Sequence, residues 1–165
     1  MADDDYLDLV KEMKLHVVRF RLVPSLLQGF EDTAGLSWRR VKFMESNRGR
    51  VPAVRGVYAF VVATPRRGLP NHGYVMYIGK AGDGNHSLQK RFADYLRAKK
   101  RPKRKRIYEM LNQWEDVLYF FYSPIPNTGI VLNDIEISLN DAMLPPMVRN
   151  DFSATIRDAI NAFET

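Results

Sequence analysis

Apolar positions along the chain follow two different periods, and the change of period separates helical from extended segments. Near the N-terminus, Tyr6, Val10 and Met13 recur at helical spacing. We therefore interpret residues 1–50 as a helical N-terminal extension that packs on the rest of the protein. Within it, residues 16–45 contain runs that fit either a strand or further helix, and both interpretations stay open.

Three later segments have the β-branched and aromatic composition that is typical of strands. They are residues 56–64 (GVYAFVVAT), 74–79 (YVMYIG) and 116–124 (DVLYFFYSP). A loop rich in Pro and Gly joins the first two, so antiparallel pairing of these strands is the simplest topology.

Amphipathic helices are predicted between and after these strands. Residues 86–100 place Leu88, Phe92 and Tyr95 on one face, Ser87 is a suitable N-cap, and a helix should not continue past Pro102. Further helices are predicted for residues 107–114, 135–144 and 153–163. The pattern predicts an α+β fold with a small three-stranded antiparallel sheet flanked by helices, in a single structural domain.

Composition narrows the class of protein. The chain has 165 residues, of which 45% are hydrophobic and 27% charged, as in ordinary soluble globular proteins. It has no run of about 18 uncharged apolar residues, so no membrane association is expected. The N-terminus is acidic and lacks the layout of a secretory signal. With no cysteine, disulfides and thiolate chemistry are excluded, and we expect a cytoplasmic protein.

The net charge of +6 comes from one segment. Residues 97–106 (RAKKRPKRKR) hold 8 of the 25 basic residues and no acid, so the remaining chain has a net charge of −2. Such a concentration of positive charge favours binding to phosphate backbones. A solvated loop between two helices is the alternative. The candidate nucleic-acid-binding residues are Lys99, Lys100, Arg101, Lys103, Arg104, Lys105 and Arg106.

Two tripeptides lie on the predicted hairpin, GVY at residues 56–58 and YIG at residues 77–79. Either one alone is uninformative. They are followed in order by Lys80, Leu88, Arg91, Tyr95, Glu136, a pair of prolines and Asn150. This ordered set resembles the signature of the GIY-YIG nuclease family over about residues 56–150, and residues 51–165 would then form the nuclease domain.

The chemistry of phosphodiester hydrolysis suits these residue types. The reaction needs a deprotonated water, neutralisation of charge on the phosphoryl oxygens, and help for the departing oxygen. Glu136 can anchor one Mg²⁺, with Mn²⁺ as an alternative ion, because Mg²⁺ keeps most of its waters. Leu139 and Met143 on the same helix place Glu136 beside the buried stripe. A first-turn glutamate favoured by the helix dipole is the alternative.

Arg91 lies three residues after Leu88 and four before Tyr95, so it borders the packed face of its helix. There it could clamp a phosphate with its guanidinium, or it could be surface charge. Tyr95 could either pack in the core or reach the scissile phosphate. For each of these two residues, its position on the predicted helix is compatible with both interpretations.

The resemblance implies that Tyr58 or Tyr77 activates the attacking water, and we favour Tyr58. A tyrosine titrates near 10 and needs nearby positive charge to act as a base. Lys80 could hold a water or the tyrosinate, or it could be an exposed turn lysine. The interval between Glu136 and Asn150 is longer than is usual in the family, so Asn140 or Asp141 could replace Asn150 as a polar support.

The sequence therefore predicts a Mg²⁺-dependent DNA endonuclease that uses one metal and in-line attack of water, with a restriction-type, repair or other structure-specific role. Two alternatives remain. One is a nucleic-acid-binding module that does not cut DNA. The other is a nuclease subunit that is active only within a complex, either as a homodimer or with a partner protein.

Overall fold

The computed structural model describes residues 3–82 and 85–164, which form an α+β fold with one antiparallel sheet. Its strands are β1 (Arg39–Lys42), β2 (Gly56–Ala63), β3 (Gly73–Ala81) and β4 (Leu118–Pro124), in the order β1-β4-β2-β3. The α-helices are α1 (Asp3–Leu15), α2 (Pro24–Gln28), α3 (Leu88–Ala98), α4 (Lys105–Gln113), α5 (Leu132–Met143) and α6 (Ala154–Glu164), and a 3₁₀ helix spans Glu45–Arg50. None of these helices is long and apolar enough to cross a membrane.

The prediction of three strands was wrong, because the sheet has a fourth strand within residues 1–50. β1 pairs antiparallel with the outer edge of β4, from Arg39 opposite Tyr122 to Lys42 opposite Tyr119. Only Val41 of this four-residue strand is buried. A strand this short and exposed has no distinctive period, and the free edge of β4 decides where it pairs.

The predicted β2–β3 hairpin is confirmed, and β2 is an inner strand that also pairs with β4. Tyr58 lies opposite Gly79, and Phe60 lies opposite Tyr77. Beyond that point the register shifts so that Val61 lies opposite Val75. This β-bulge leaves Met76 as the extra residue of β3, the strand that forms the other edge of the sheet.

Successive side chains of β2 lie on opposite faces of the sheet, and each face is covered by a separate hydrophobic core. Tyr58 and Phe60 belong to an aromatic core that includes Phe92 of α3 and Met110 of α4, and we call this side the α3 face. On the opposite side, the α5 face, β2 and β3 pack against α5. That second core includes Val57, Ala59, Ile78, Leu132, Ile135 and Leu139.

The helices that carry the predicted site begin close to their predicted positions. The Ser87 side chain caps α3 by accepting a hydrogen bond from the backbone N–H of Lys90, at 3.2 Å. α5 begins at Leu132, three residues earlier than predicted, and its C-cap Leu144 has a left-handed φ of 46°. Glu136 therefore lies in the second turn of α5, where the helix dipole no longer explains a glutamate.

Candidate active site

The glycines of the two tripeptides are required by close approach of neighbouring groups. A Cβ on Gly79 would lie 2.5 Å from the Tyr58 hydroxyl and 2.6 Å from its Cζ. A Cβ on Gly56 would lie 2.2 Å from the carbonyl oxygen of Ser123. Gly79 thus lets the Tyr58 ring lie across β3, and Gly56 lets β2 approach β4.

Three tyrosines from different elements meet on the α3 face, and we call Tyr58, Tyr77 and Tyr95 the tyrosine cluster. The hydroxyls of Tyr58 and Tyr95 are 3.0 Å apart and share a buried hydrogen bond. The Tyr77 ring centroid lies 6.4 Å from that of Tyr58 and 6.1 Å from that of Tyr95. The structure therefore brings together all three tyrosines predicted from the sequence.

Burial strongly affects two of these phenols. Desolvation raises the pKa of Tyr58 far above its ordinary range, and the nearby Tyr77 raises it further. The hydrogen bond that Tyr58 shares with Tyr95 and the charge of Arg91 lower the pKa of Tyr58 only in part. Burial and the charge of Tyr58 also raise the pKa of Tyr95. Both phenols are therefore neutral near pH 7 unless further positive charge approaches them.

Lys80 does not bond to the tyrosine cluster, because its side chain is directed to α5. Its Nζ lies 3.0 Å from Oε2 of Glu136 and donates a hydrogen bond of 2.6 Å to Oδ1 of Asn133. Burial raises the pKa of Glu136, while Lys80 lowers it and the charge of Asp151 raises it. Asn133 is three residues before Glu136, so both face Lys80, a partnership that the sequence reasoning missed.

Arg91 lies on α3 between the cap and Tyr95. Its Nε is buried and has no hydrogen-bond partner among the residues that the structure describes. Its charge acts on Tyr58. A buried donor without a partner is costly, so an incoming acceptor at this point would be stabilised.

The three candidates for a polar support are placed differently. Asn150 is exposed. Asn140 is fully buried one turn after Glu136, and its Nδ2 donates to the carbonyl oxygen of Asp151 at 2.9 Å. Asp141 accepts a hydrogen bond from the backbone N–H of Ser153, also at 2.9 Å. Asn140 and Asp141 thus hold the segment that precedes α6, whereas Asn150 is free to face a ligand.

Among the predicted site residues, Glu136 supplies the carboxylate that could hold one weakly chelated Mg²⁺. Glu136 contributes a carboxylate, Asp151 is close enough for its charge to act on Glu136, and Oδ1 of Asn140 is buried without a partner. Within residues 3–82 and 85–164, no group of three or more His, Asp or Glu side chains could hold a metal. One carboxylate suffices for an ion that keeps its waters.

The basic segment divides into paired and unpaired residues. Lys99 forms an ion pair with Glu115, and Lys105 lies 3.9 Å from Glu109. The other five candidates form no ion pair within the described part of the chain. These five are Lys100, Arg101, Lys103, Arg104 and Arg106. Their charge is uncompensated and so available to phosphates.

A cavity of about 470 Å³ connects the basic segment to the tyrosine cluster. Its lining includes Tyr77, the residues from Lys103 to Arg106, and Arg149, Asn150 and Asp151. The segment just before Arg149 is held at the edge of the sheet, since the backbone N–H of Met147 donates to the carbonyl of Met76 at 3.0 Å.

No family model, curated protein or solved structure matches this chain.

Proposed function

We propose that this protein is a Mg²⁺-dependent DNA endonuclease of the GIY-YIG type. One observation carries the proposal: Tyr77 of β3 and Tyr95 of α3 pack against Tyr58 of β2 on the α3 face. Tyr95 hydrogen-bonds to it, and the charges of Tyr77, Arg91 and Glu136 all act on it. The tyrosine cluster thus lies within electrostatic range of one cation, Arg91, and of one carboxylate, Glu136, which is 78 positions from Tyr58 in sequence.

Arg91 and Glu136 have complementary roles in this proposal. The guanidinium of Arg91 binds a phosphoryl oxygen, which gives its buried Nε an acceptor and neutralises the charge that develops there. Glu136 is the metal ligand, and Lys80 and Asn133 define the position of its carboxylate. Bound Mg²⁺ supplies positive charge for the phosphoryl and leaving oxygens.

The reaction is a hydrolysis in which one tyrosine, ionised to its phenolate, takes a proton from water and becomes a neutral phenol. The water oxygen forms a new P–O bond, the P–O3′ bond breaks opposite to it, and the 3′ oxygen leaves with a proton from solvent. The products are a 5′-phosphate and a 3′-hydroxyl. Of the two candidate bases, the geometry favours Tyr77 over Tyr58, because Tyr77 lines the cavity and Tyr58 is bonded to Tyr95 in the interior.

Five unpaired bases favour a second function, a nucleic-acid-binding module without cleavage. The experiment that separates the two incubates the purified protein with plasmid, branched and single-stranded DNA, in Mg²⁺ and in EDTA, and maps the ends. We expect Mg²⁺-dependent cuts that carry 5′-phosphates. Binding in EDTA without cuts in Mg²⁺ on any substrate would support the binding module instead.

Exposed apolar residues on α1 favour the third function, a nuclease that acts in a complex. Tyr6, Leu9 and Met13 are more than half exposed, at 69%, 53% and 63%. Exposed apolar residues on one helix can form an interface with a partner protein or with a second copy of the chain. Sedimentation of the protein, alone and with DNA, tests whether the cutting species is larger than a monomer.

A further inference from the structure

A second cleft adjoins the cavity that Tyr77 lines. Its volume is about 960 Å³, and its lining comes mainly from residues 17–21, α4 and the end of α6. Arg106 and Met147 line both spaces, so the second cleft continues the first. We call it the N-terminal cleft. Of the site residues predicted from the sequence, it includes only Arg106.

Side-chain contacts hold the N-terminal segment in place as one wall of this cleft. Nε2 of His16 lies 2.7 Å from the carbonyl oxygen of Gln113, at the end of α4. Arg21 forms an ion pair with Glu164 of α6, and its guanidinium carbon lies 5.7 Å from the centroid of the Phe163 ring. The wall is therefore attached to both of the helices that it faces.

The charged groups of the N-terminal cleft leave an excess of unpaired cations. They are Arg19, Arg21, Arg106, Glu109 and Glu164. Each glutamate has a basic partner, Arg21 for Glu164 and Lys105, at 3.9 Å, for Glu109. The other two arginines are exposed and form no ion pair within residues 3–82 and 85–164. A polyanion that enters the cleft therefore meets positive charge without a competing acid.

Aromatic rings lie beside these cations. Phe20 and Phe163 line the cleft and are 37% and 78% exposed, and the more buried Trp114 lines it as well. A groove that combines cations with accessible aromatic rings is typical of sites for single-stranded nucleic acid, because every unpaired base has a face that can stack. Bases within a duplex stack on one another and do not need such rings.

We propose that the N-terminal cleft binds unpaired nucleotides of the DNA next to the cleavage site. The guanidinium groups of Arg19 and Arg106 contact the phosphates of these nucleotides. The rings of Phe20 and Phe163 stack on their bases. The proposal rests on the proposed nuclease function and narrows its substrate to branched DNA that carries a single-stranded arm.

The first test measures DNA binding in EDTA, so it does not depend on cleavage. Fluorescence anisotropy compares a branched duplex, with a single-stranded arm of about 10 nucleotides, with a nicked duplex that has no arm. We expect the double variant Arg19→Gln/Phe163→Ser to bind the branched DNA about 10-fold more weakly than wild type does. Its affinity for the nicked duplex should change less than about 2-fold, because that DNA places nothing in the cleft.

The matched control is Arg157→Gln/Leu69→Ser. Arg157 is an exposed arginine of α6 and Leu69 is an exposed apolar residue, and neither lines the N-terminal cleft. This control should bind both DNAs as wild type does. An equal loss of affinity for the two DNAs in Arg19→Gln/Phe163→Ser, or no loss beyond that of the control, would overturn the proposal.

A second measurement uses the wild-type chain, so it does not depend on the folding of a variant. 5-Iodouracil in the single-stranded arm crosslinks on irradiation to aromatic side chains that it touches, and mass spectrometry of the peptides locates the crosslink. We expect crosslinks to Phe20, Trp114 or Phe163. An arm that forms no crosslink, or forms crosslinks only outside the cleft, would contradict the proposal.

The outcomes distinguish failure of this proposal from failure of the nuclease function. Arm-dependent binding with the expected crosslinks, in a protein that cuts no DNA in Mg²⁺, would leave the cleft as a binding site and refute the nuclease. Mg²⁺-dependent cutting of duplex DNA, with no effect of the arm on binding, would support the nuclease and overturn the role of the cleft.

Discussion

The carboxylate of Glu136 and the ammonium of Lys80 form an ion pair between α5 and β3, with 3.0 Å between Oε2 and Nζ. Only 8% of the Glu136 side chain is exposed, against 33% of the Lys80 side chain. Burial raises the pKa of Glu136, and Lys80 opposes this effect. The pair therefore opposes the desolvation of a buried carboxylate and holds it in one place, from which, in the proposed function, Glu136 would bind Mg²⁺.

Glu136→Gln should abolish cleavage and leave DNA affinity in EDTA unchanged. The amide preserves the side-chain volume but loses the negative charge that would hold Mg²⁺, so a loss of at least about 100-fold is expected. Asp134→Asn is the matched control, because Asp134 is an exposed acid on the same helix. Mg²⁺-dependent cutting by Glu136→Gln at the rate of Asp134→Asn would exclude Glu136 as the ligand.

Arg91→Met should separate activity from stability. The variant keeps an unbranched side chain but loses a buried nitrogen without a partner, and such a group costs about 1–3 kcal/mol. The free energy of unfolding in urea should therefore be unchanged or higher, while cleavage at saturating DNA falls about 100-fold or more.

The control for Arg91 is Arg97→Met, on the same helix. Arg97 is exposed and forms an ion pair with Asp94, so its loss should affect neither property strongly. A less stable Arg91→Met protein with normal cleavage would assign Arg91 a structural role.

The unpaired bases should determine how DNA binding depends on salt. Changing Lys100, Arg101, Lys103 and Arg106 together to Gln should weaken binding to all sequences and flatten log K against log salt by roughly one unit of slope per lost phosphate contact. Lys99→Gln should change the slope less, because Lys99 is already paired with Glu115. Fluorescence anisotropy in EDTA measures both. An unchanged slope in the quadruple variant would mean that the segment does not contact DNA.

Gly79→Ala should destabilise the protein through a clash with Tyr58. The added Cβ would lie 2.5 Å from the hydroxyl and 2.6 Å from Cζ of the ring, so overpacking should cost about 1–3 kcal/mol. Gly49→Ala is the control, because its Cβ would meet nothing within 4 Å. A double-mutant cycle with Tyr58→Ala should remove the cost of Gly79→Ala. An equal cost in both backgrounds would place the strain elsewhere.

His16 should make the attachment of the N-terminal segment depend on pH. Its Nδ1 lies 2.8 Å from the carbonyl of Glu12 and its Nε2 lies 2.7 Å from that of Gln113, and only the charged imidazole can donate to both. The hydrogen bond to Gln113, followed by that to Glu12, raises the pKa of His16. Its stabilising contribution is therefore complete below the unfolded value of about 6.5 and is lost as pH rises through the higher folded value.

Thermal unfolding tests this prediction. The difference in Tm between wild type and His16→Gln should be largest in mildly acidic buffer and should shrink in mildly alkaline buffer. His86→Gln is a control, since His86 is an exposed histidine outside this contact. A difference that does not change with pH would show that the charge of His16 has no part in the attachment.

Local sequence determined much of the fold. β2, β3, β4 and α3 lie close to their predicted positions, because dense β-branched and aromatic runs, turn residues and an N-cap serine act within a few residues of chain. The order of the candidate site residues was also visible, and the structure brings Tyr58, Tyr77 and Tyr95 together on the α3 face.

Tertiary structure decided what those residues touch. β1 forms because β4 has a free edge, Lys80 bonds to α5 and not to a tyrosine, and Asn140, not the exposed Asn150, is tied to the backbone of Asp151. Periodicity reports which face of an element is buried, but the partner on that face comes from a distant part of the chain. That choice depends on strand register and helix packing, which no short stretch of sequence encodes.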